Sequence, residues 1–319
     1  MGGDKSPGEI VAGARQAHEE LGVPVLLVGP DDGSLGEVGG LEVLAASEVV
    51  AMDEDPVRGV RTKKDSTLVR AAEAVRDGRA SAMVSAGNTG AAMGSAVLRM
   101  GRIAGVVRPA IATPLPVPDG RPTILIDAGA NAECRPEWLV QFARMAAVYM
   151  RARYGVEDPS VALLSIGEED TKGNDLVKGA HALLSGRGDL RFTGNVEGRD
   201  LLRGAADIVV TDGFTGNVAL KTLEGALSTF VDVLGRAIGS SPEAKAGGDA
   251  LLPALLPYWA QMDPEATGGA MLLGVEGVCI VSHGSSSARA IVNAVRVAHE
   301  MAEKDLVGQL RAAFVAEPA

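Results

Sequence analysis

Five short segments of this 319-residue chain share one chemistry: small residues, glycine, and an amide, hydroxyl or charge. They are Ser85-Ala-Gly-Asn-Thr-Gly90, Asp127-Ala-Gly-Ala-Asn131, Ile166-Gly-Glu-Glu-Asp170 with Lys172-Gly-Asn174, Thr211-Asp-Gly-Phe-Thr-Gly-Asn217 and Ser282-His-Gly-Ser-Ser286. Glycine permits positive φ and close backbone approach, and a helix that follows such a turn offers free N–H groups and a positive dipole end to an anion. The same residue types are common helix caps, so any one loop reads equally well as an ordinary strand-to-helix turn. Five of them shift the balance toward an anion- or phosphate-handling crevice. Its candidate lining is Ser85, Gly87, Thr89, Gly90, Asp127, Gly129, Asn174, Asp212, Gly213, Thr215, Gly216, Ser285 and Ser286, with Gly2, Gly3 and Asp4 near the start of the chain.

Within these loops the candidate catalytic residues are His283, Asn217, Asn131, Asn88 and Lys172. His283 is the acid/base candidate, with loop orientation through a backbone hydrogen bond as its competing role. The asparagines are candidate oxyanion and phosphate donors, with helix capping as the alternative. Lys172 and Lys221 would neutralise phosphate charge, although Lys221 also reads as an exposed helix residue. Asp4, Asp127 and Asp212 would fix loop geometry, since bare carboxylates repel phosphate. There is no GxGxxG, GxxxxGK[ST] or HExxH, and Cys134 and Cys279 lack metal or redox spacing. No cofactor and no metal are expected, and a reducing cytosol fits.

The loops need a frame. Apolar runs at Val23–Val28, Glu42–Ala46, Ala82–Ser85, Thr123–Asp127, Val161–Ile166, Ile208–Thr211 and Val278–Ser282 read as strands. Helical patterns at Gly8–Leu21, Thr67–Asp77, Ala91–Met100, Pro136–Tyr154, Leu176–Leu184, Val218–Ile238 and Ala288–Ala313 alternate with them. The alternation predicts an α/β fold, a three-layer α/β/α sandwich with a mostly parallel sheet. All five loops would then gather at the carboxyl end of one sheet. Residues 1–319 read as one α/β catalytic domain. Residues 239–270 read as a projecting helical excursion, its helices kept short or kinked by Pro242, Pro253 and Pro257. Its Leu251–Trp259 stretch predicts an exposed apolar tip, suited to a membrane surface or a dimer partner.

A net charge of −11 excludes a general nucleic-acid binder, and no apolar run reaches the ~18–20 residues that cross a bilayer. Hydrophobic residues make up 46% of the chain but aromatics only 3%, so the core must be aliphatic.

The loops come in a particular order with other blocks: Met1-Gly-Gly-Asp4, Ser47-Glu-Val, Met52-Asp-Glu, Lys63-Lys-Asp-Ser66, Gly101-Arg-Ile, Arg108-Pro-Ala, Gly194-Asn-Val-Glu-Gly-Arg199 and Asp212 through Lys221. This ordered set, covering the chain to about His299, resembles the acyl-ACP:phosphate acyltransferase family of bacterial phospholipid synthesis. The resemblance implies a cytosolic or membrane-peripheral homodimer with a Rossmann-like core, related in fold to phosphate acetyltransferases. It would move a long-chain acyl group from acyl carrier protein to inorganic phosphate. A membrane glycerol-3-phosphate acyltransferase would consume the product. Members carry a short apolar strand ahead of the Met-Gly-Gly-Asp loop, so the resemblance also implies a gap in this sheet.

Such a reaction needs no nucleophilic side chain. Phosphate brings its own oxygen, and a thiolate, with thiol pKa ~8.5, is a competent leaving group. A phosphate cradle, an oxyanion site and orientation suffice. Acyl carrier protein is acidic, so docking on an acidic chain requires a local basic patch, for which Arg58, Arg61, Lys63 and Lys64 are the densest candidate. A short-chain acyltransferase using coenzyme A and a non-catalytic membrane-recruiting scaffold are the competing readings.

Overall fold

The apolar runs fold as β1 (Leu26–Gly29), β2 (Glu42–Ala45), β3 (Ala82–Ser85), β5 (Thr123–Ile126), β6 (Ser160–Ser165), β8 (Ile208–Val210) and β10 (Val278–Val281) in a computed structural model that describes residues 1–315. Three further strands were not anticipated: β4 (Ala110–Leu115), β7 (Arg191–Glu197) and β9 (Ala270–Leu273). The helices are α1 (Gly8–Leu21), α2 (Pro56–Thr62), α3 (Thr67–Arg76), α4 (Thr89–Ser95), α5 (Pro136–Tyr154), α6 (Asp175–Ser185), α7 (Gly213–Ile238), α8 (Pro242–Met262), α9 (Ala288–Glu303) and α10 (Leu306–Val315).

Eight strands form the main sheet in the order β3-β10-β9-β4-β5-β8-β6-β7. Pairing is parallel on both flanks, between β3 and β10 and along β5, β8, β6 and β7. In the middle, β10–β9, β9–β4 and β4–β5 are antiparallel. Three successive antiparallel pairings reverse strand direction between the flanks. The five loops therefore do not share one end, contrary to expectation. Those after β3 and β10 leave in one direction and those after β5, β8 and β6 in the other, with the ends of β10 and β5 level in the register, since Ile280, Met271, Ala112 and Ile126 form one row.

Alternation along the strands creates the three layers. Ile124 and Ile126 of β5 face a core built around α5, with Phe142, Met145 and Tyr149, while Leu125 between them faces the opposite core under α7. Helix α5 starts on Pro136 with Glu137 in its first turn, and it ends at Gly155 in the left-handed conformation. Most of its circumference is buried. It is the central pillar of that layer.

Strands β1 and β2 form a separate parallel pair. A cavity of about 690 Å³ lies between β1 and β3, floored by α1, α3 and α9 residues such as Ala14, Ala71 and Ile291.

The projecting excursion differs from expectation in length. Helix α8 runs unbroken for 21 residues with Pro253 and Pro257 inside it. Both lie on an exposed helix, where water can take the carbonyls that proline leaves without a donor. The far half of α7 packs beside it, with Gly248 against Ile238. Leu251, Leu252, Leu256, Tyr258 and Trp259 are exposed, as are Phe230 and Val233 of α7. Among the described residues no helix is long and apolar enough to cross a membrane.

The α5 pillar yields a stability test. Phe142 is fully buried, so Phe142→Ala should cost about 3–5 kcal/mol. A lower urea midpoint with an unchanged slope is the expected result.

Candidate functional site

The first turn of α7 is where the site is assembled. Asp212 caps the helix, accepting from the Thr215 N–H at 2.9 Å and the Thr215 hydroxyl at 2.8 Å. The Gly213 N–H donates to the Asn131 carbonyl at 2.8 Å. A β-carbon on Gly216 would stand 1.9 Å from the Asp127 carbonyl oxygen, and one on Gly213 would stand 2.7 Å from Asn131 backbone. Only glycine lets this helix seat on the loop after β5.

That loop is organised by the Asp127 carboxylate, which is fully buried. It accepts from the N–H groups of Ile111, Gly129, Ala130 and Asn131 at 2.7–3.1 Å, and from the Asn131 side-chain amide at 2.8 Å. Burial pushes its pKa upward, and these donated hydrogen bonds oppose that shift. With both oxygens occupied by its own loop, Asp127 is a geometric anchor.

The four asparagines separate by what their amides already do. The Asn88 side chain accepts from the Ala91 N–H and donates to the carbonyls of Ala51, Met52 and Glu54, within 3.2 Å. Asn131 donates to Pro109 and Asp127, and Asn174 caps α6 through the Val177 N–H at 3.0 Å. Asn217 is exposed, and its amide has no hydrogen-bond partner among the described residues. Its side chain lies against Gly129, 3.6 Å from where a β-carbon would be. Lys172 is likewise exposed and makes no ion pair among the described residues. It stands in the loop after β6, next to β8 in the sheet. Asn217 and Lys172 therefore present unspent donors at the same sheet end.

The other loop cluster packs backbone to backbone. The Asp4 N–H donates to the Gly284 carbonyl at 2.9 Å, the Ser282 N–H to Ser85 at 2.7 Å, and the Gly3 N–H to the Ser6 hydroxyl at 3.2 Å. A β-carbon on Gly3 would meet the Ala86 carbonyl at 2.4 Å, and Gly2 has φ 93° against Val50. The Ser85 hydroxyl accepts from the Gly87 N–H at 3.2 Å, and the Ser286 N–H donates to the His283 carbonyl at 3.0 Å. Thr89 and Ser285 are exposed, while a β-carbon on Gly90 would stand 2.8 Å from the Pro56 ring.

Helix α7 joins the two clusters. Asn217, Lys221 and Glu224 fall at i, i+4 and i+7, on one helical face, spanning about 10 Å of rise. At the far end Lys221 Nζ donates to Glu224 Oε2 at 2.7 Å, and His283 Nε2 lies 3.2 Å from Glu224 Oε1 and 3.4 Å from Lys221 Nζ. Burial raises the Glu224 pKa, but hydrogen bonds and charge from His283 and Lys221 outweigh it, leaving the group below its ordinary value. Glu224 was missed in the sequence, although its spacing from Lys221 and Asn217 was a visible signal. The cysteines are poor nucleophiles: burial, then the Asp127 charge, pushes the Cys134 thiol up to about 12, and burial does the same for Cys279.

Arg58 and Arg61 lie exposed on and beside each other along α2, with Lys64 exposed just after it. Lys63 turns inward, to Glu54 Oε2 at 2.5 Å and the Val49 carbonyl at 2.7 Å. Three of the four predicted docking cations therefore face solvent.

The division among the asparagines is measurable. Asn88→Ala should lower unfolding free energy by about 1–2 kcal/mol through loss of a cap and its braces. Asn217→Ala should stay within about 0.5 kcal/mol of the parent. Paired urea titrations give both numbers.

The chain is 48% identical to the phosphate acyltransferase of Heliobacterium modesticaldum, over 98% of this chain and 95% of the relative. It is 43% identical to that of Nostoc punctiforme, over 99% and 95%. In fold it resembles a branched-chain phosphotransacylase from Enterococcus faecalis (TM-score 0.59, 16% identity, 94% of this chain and 97% of that one). It also resembles a phosphotransacetylase from Streptococcus pyogenes (TM-score 0.61, 16% identity, 93% and 92%). A family model described as "Fatty acid synthesis protein" matches residues 1–309, and the chain belongs to that family.

Proposed function

We propose that the protein transfers a long-chain fatty acyl group from the thioester of acyl carrier protein to inorganic phosphate, giving acyl phosphate for phosphatidic acid synthesis. The observation that carries the reading is the face of α7, where the free Asn217 amide and Lys221 link two glycine-loop clusters. Its relatives' shared name, phosphate acyltransferase, supports the same chemistry.

In this reading Lys172 and the loops after β5, β6 and β8 hold phosphate, and the Asn217 amide donates to the oxyanion as the thioester carbonyl is attacked. Preorganised donors at a developing oxyanion are worth about 10²–10³ in rate each. His283, on the opposite cluster, exchanges the proton. Phosphate brings its own oxygen nucleophile and attacks the thioester carbonyl directly in this reading. Arg58, Arg61 and Lys64 meet the acidic carrier protein, and the basic patch offsets the repulsion set by a net charge of −11. The exposed apolar face of α7 and α8 is the contact for a second copy or a membrane surface, where a glycerol-3-phosphate acyltransferase would take the product.

The test is turnover of palmitoyl-ACP with phosphate by the purified protein, following free thiol and acyl phosphate together. Thiol release that requires phosphate and matches acyl phosphate formed is expected. Asn217→Ala and Lys172→Ala should each lower kcat/KM by about 10² or more. Thiol release indifferent to phosphate would overturn the proposal.

A further inference from the structure

The Glu224 carboxylate has two neighbours and a different atom for each. One oxygen takes the Lys221 ammonium at 2.7 Å, and the other faces His283 Nε2 at 3.2 Å. Lys221 and Glu224 sit one turn apart on α7, whereas His283 belongs to the loop after β10, 59 residues further along the chain. Glu224 therefore ties the helix that carries Asn217 to the loop that carries the imidazole.

We propose that Glu224 is a positioning residue: by accepting the Nε2–H of His283 it fixes the tautomer whose Nδ1 lone pair is free, making His283 the proton carrier for acyl transfer. A carboxylate that accepts from one ring nitrogen orients the imidazole and favours its cation when the other nitrogen takes a proton. This inference rests on the acyl-to-phosphate reading above. In the step itself, a phosphate oxygen of H₂PO₄⁻ forms a bond to the thioester carbonyl carbon while its proton passes to His283 Nδ1. The carbon–sulfur bond then breaks, the electron pair leaves on sulfur, and Nδ1 returns the proton to the thiolate. The products are acyl phosphate and free thiol, with His283 neutral again. Lys221, held by the second Glu224 oxygen, keeps the pair from carrying net negative charge toward phosphate.

The charged groups that face the His283 loop are few. Lys221 and Glu224 approach from α7. Asp4 approaches from the N-terminal loop, its carboxylate 3.1 Å from where a Gly284 β-carbon would lie. Beyond them, Glu265 accepts from Ser287 and Glu9 from the Ala288 N–H, at the start of α9. Of these, Glu224 is the carboxylate recorded in contact with the ring.

The experiment compares the parent protein with Glu224→Gln, Glu224→Asp and His283→Gln, using palmitoyl-ACP and phosphate across pH 5–9. The His283 ring signals are followed by NMR in the same proteins, assigned by their loss in His283→Gln. Glu224→Gln should lower kcat about tenfold or more. It should also shift the ring nitrogen signals of neutral His283 away from the Nε2–H tautomer, because an amide can donate to Nε2 as well as accept from it. Glu224→Asp should return part of the shift. A merely structural role would reduce rate at every pH and leave the tautomer signals in place, and that outcome overturns the inference. If the parent protein makes no acyl phosphate, the functional reading fails instead, and the tautomer signals still decide whether Glu224 governs the ring.

Discussion

The seating of α7 on the Asp127 loop is the constraint from which the site follows. Gly216 lies so close to the Asp127 carbonyl that any side chain would displace the helix, and Gly213 meets Asn131 in the same way. The buried Asp127 carboxylate holds its loop rigid by taking hydrogen bonds from four backbone N–H groups and one amide. With that base fixed, the position of every residue along the helix is set by its rise and rotation. Asn217 falls against Gly129, and Lys221 and Glu224 fall against His283.

This arrangement answers a difficulty posed by the sheet. A fully parallel sheet gathers its ligand loops at one end. Here strands β10, β9, β4 and β5 are joined by antiparallel pairings, and the two groups of loops leave in opposite directions from strand ends that lie level. Helix α7 crosses one face of the sheet and reconnects them, with Leu220 packed against both of the cores on that side. A site divided between two loop clusters suits a reaction with two substrates, an acyl donor and phosphate, since each can be held by its own backbone. The chemistry then depends on orientation and on fixed donors more than on any reactive side chain.

Much of this was legible in the chain. Helices α1 and α5 and strand β3 have the bounds that apolar periodicity and capping residues predict, because their signals are local. The glycine loops were legible for the same reason. Strand β4 was hidden by Pro114, which lacks an N–H yet pairs opposite Ile124, and β7 by Gly194 at φ 98° beside a register shift. Missing β4 and β9 also concealed the reversal of the sheet. Pro253 and Pro257 argued against a long α8, and it formed because solvent surrounds it. The roles of the asparagines were invisible, since capping and catalysis ask for the same residue type. Hydrogen-bond partners separate Asn217 from Asn88, Asn131 and Asn174, and those partners exist only in the fold.

Direct attack by phosphate is the centre of the account, and intact mass is its most direct test. The protein is held with palmitoyl-ACP in phosphate-free buffer, quenched within one turnover time, and weighed. An unchanged protein mass, followed by prompt acyl phosphate formation when phosphate is added, is the predicted result. An increase equal to one palmitoyl group that phosphate then discharges would reveal an acyl-enzyme and contradict it.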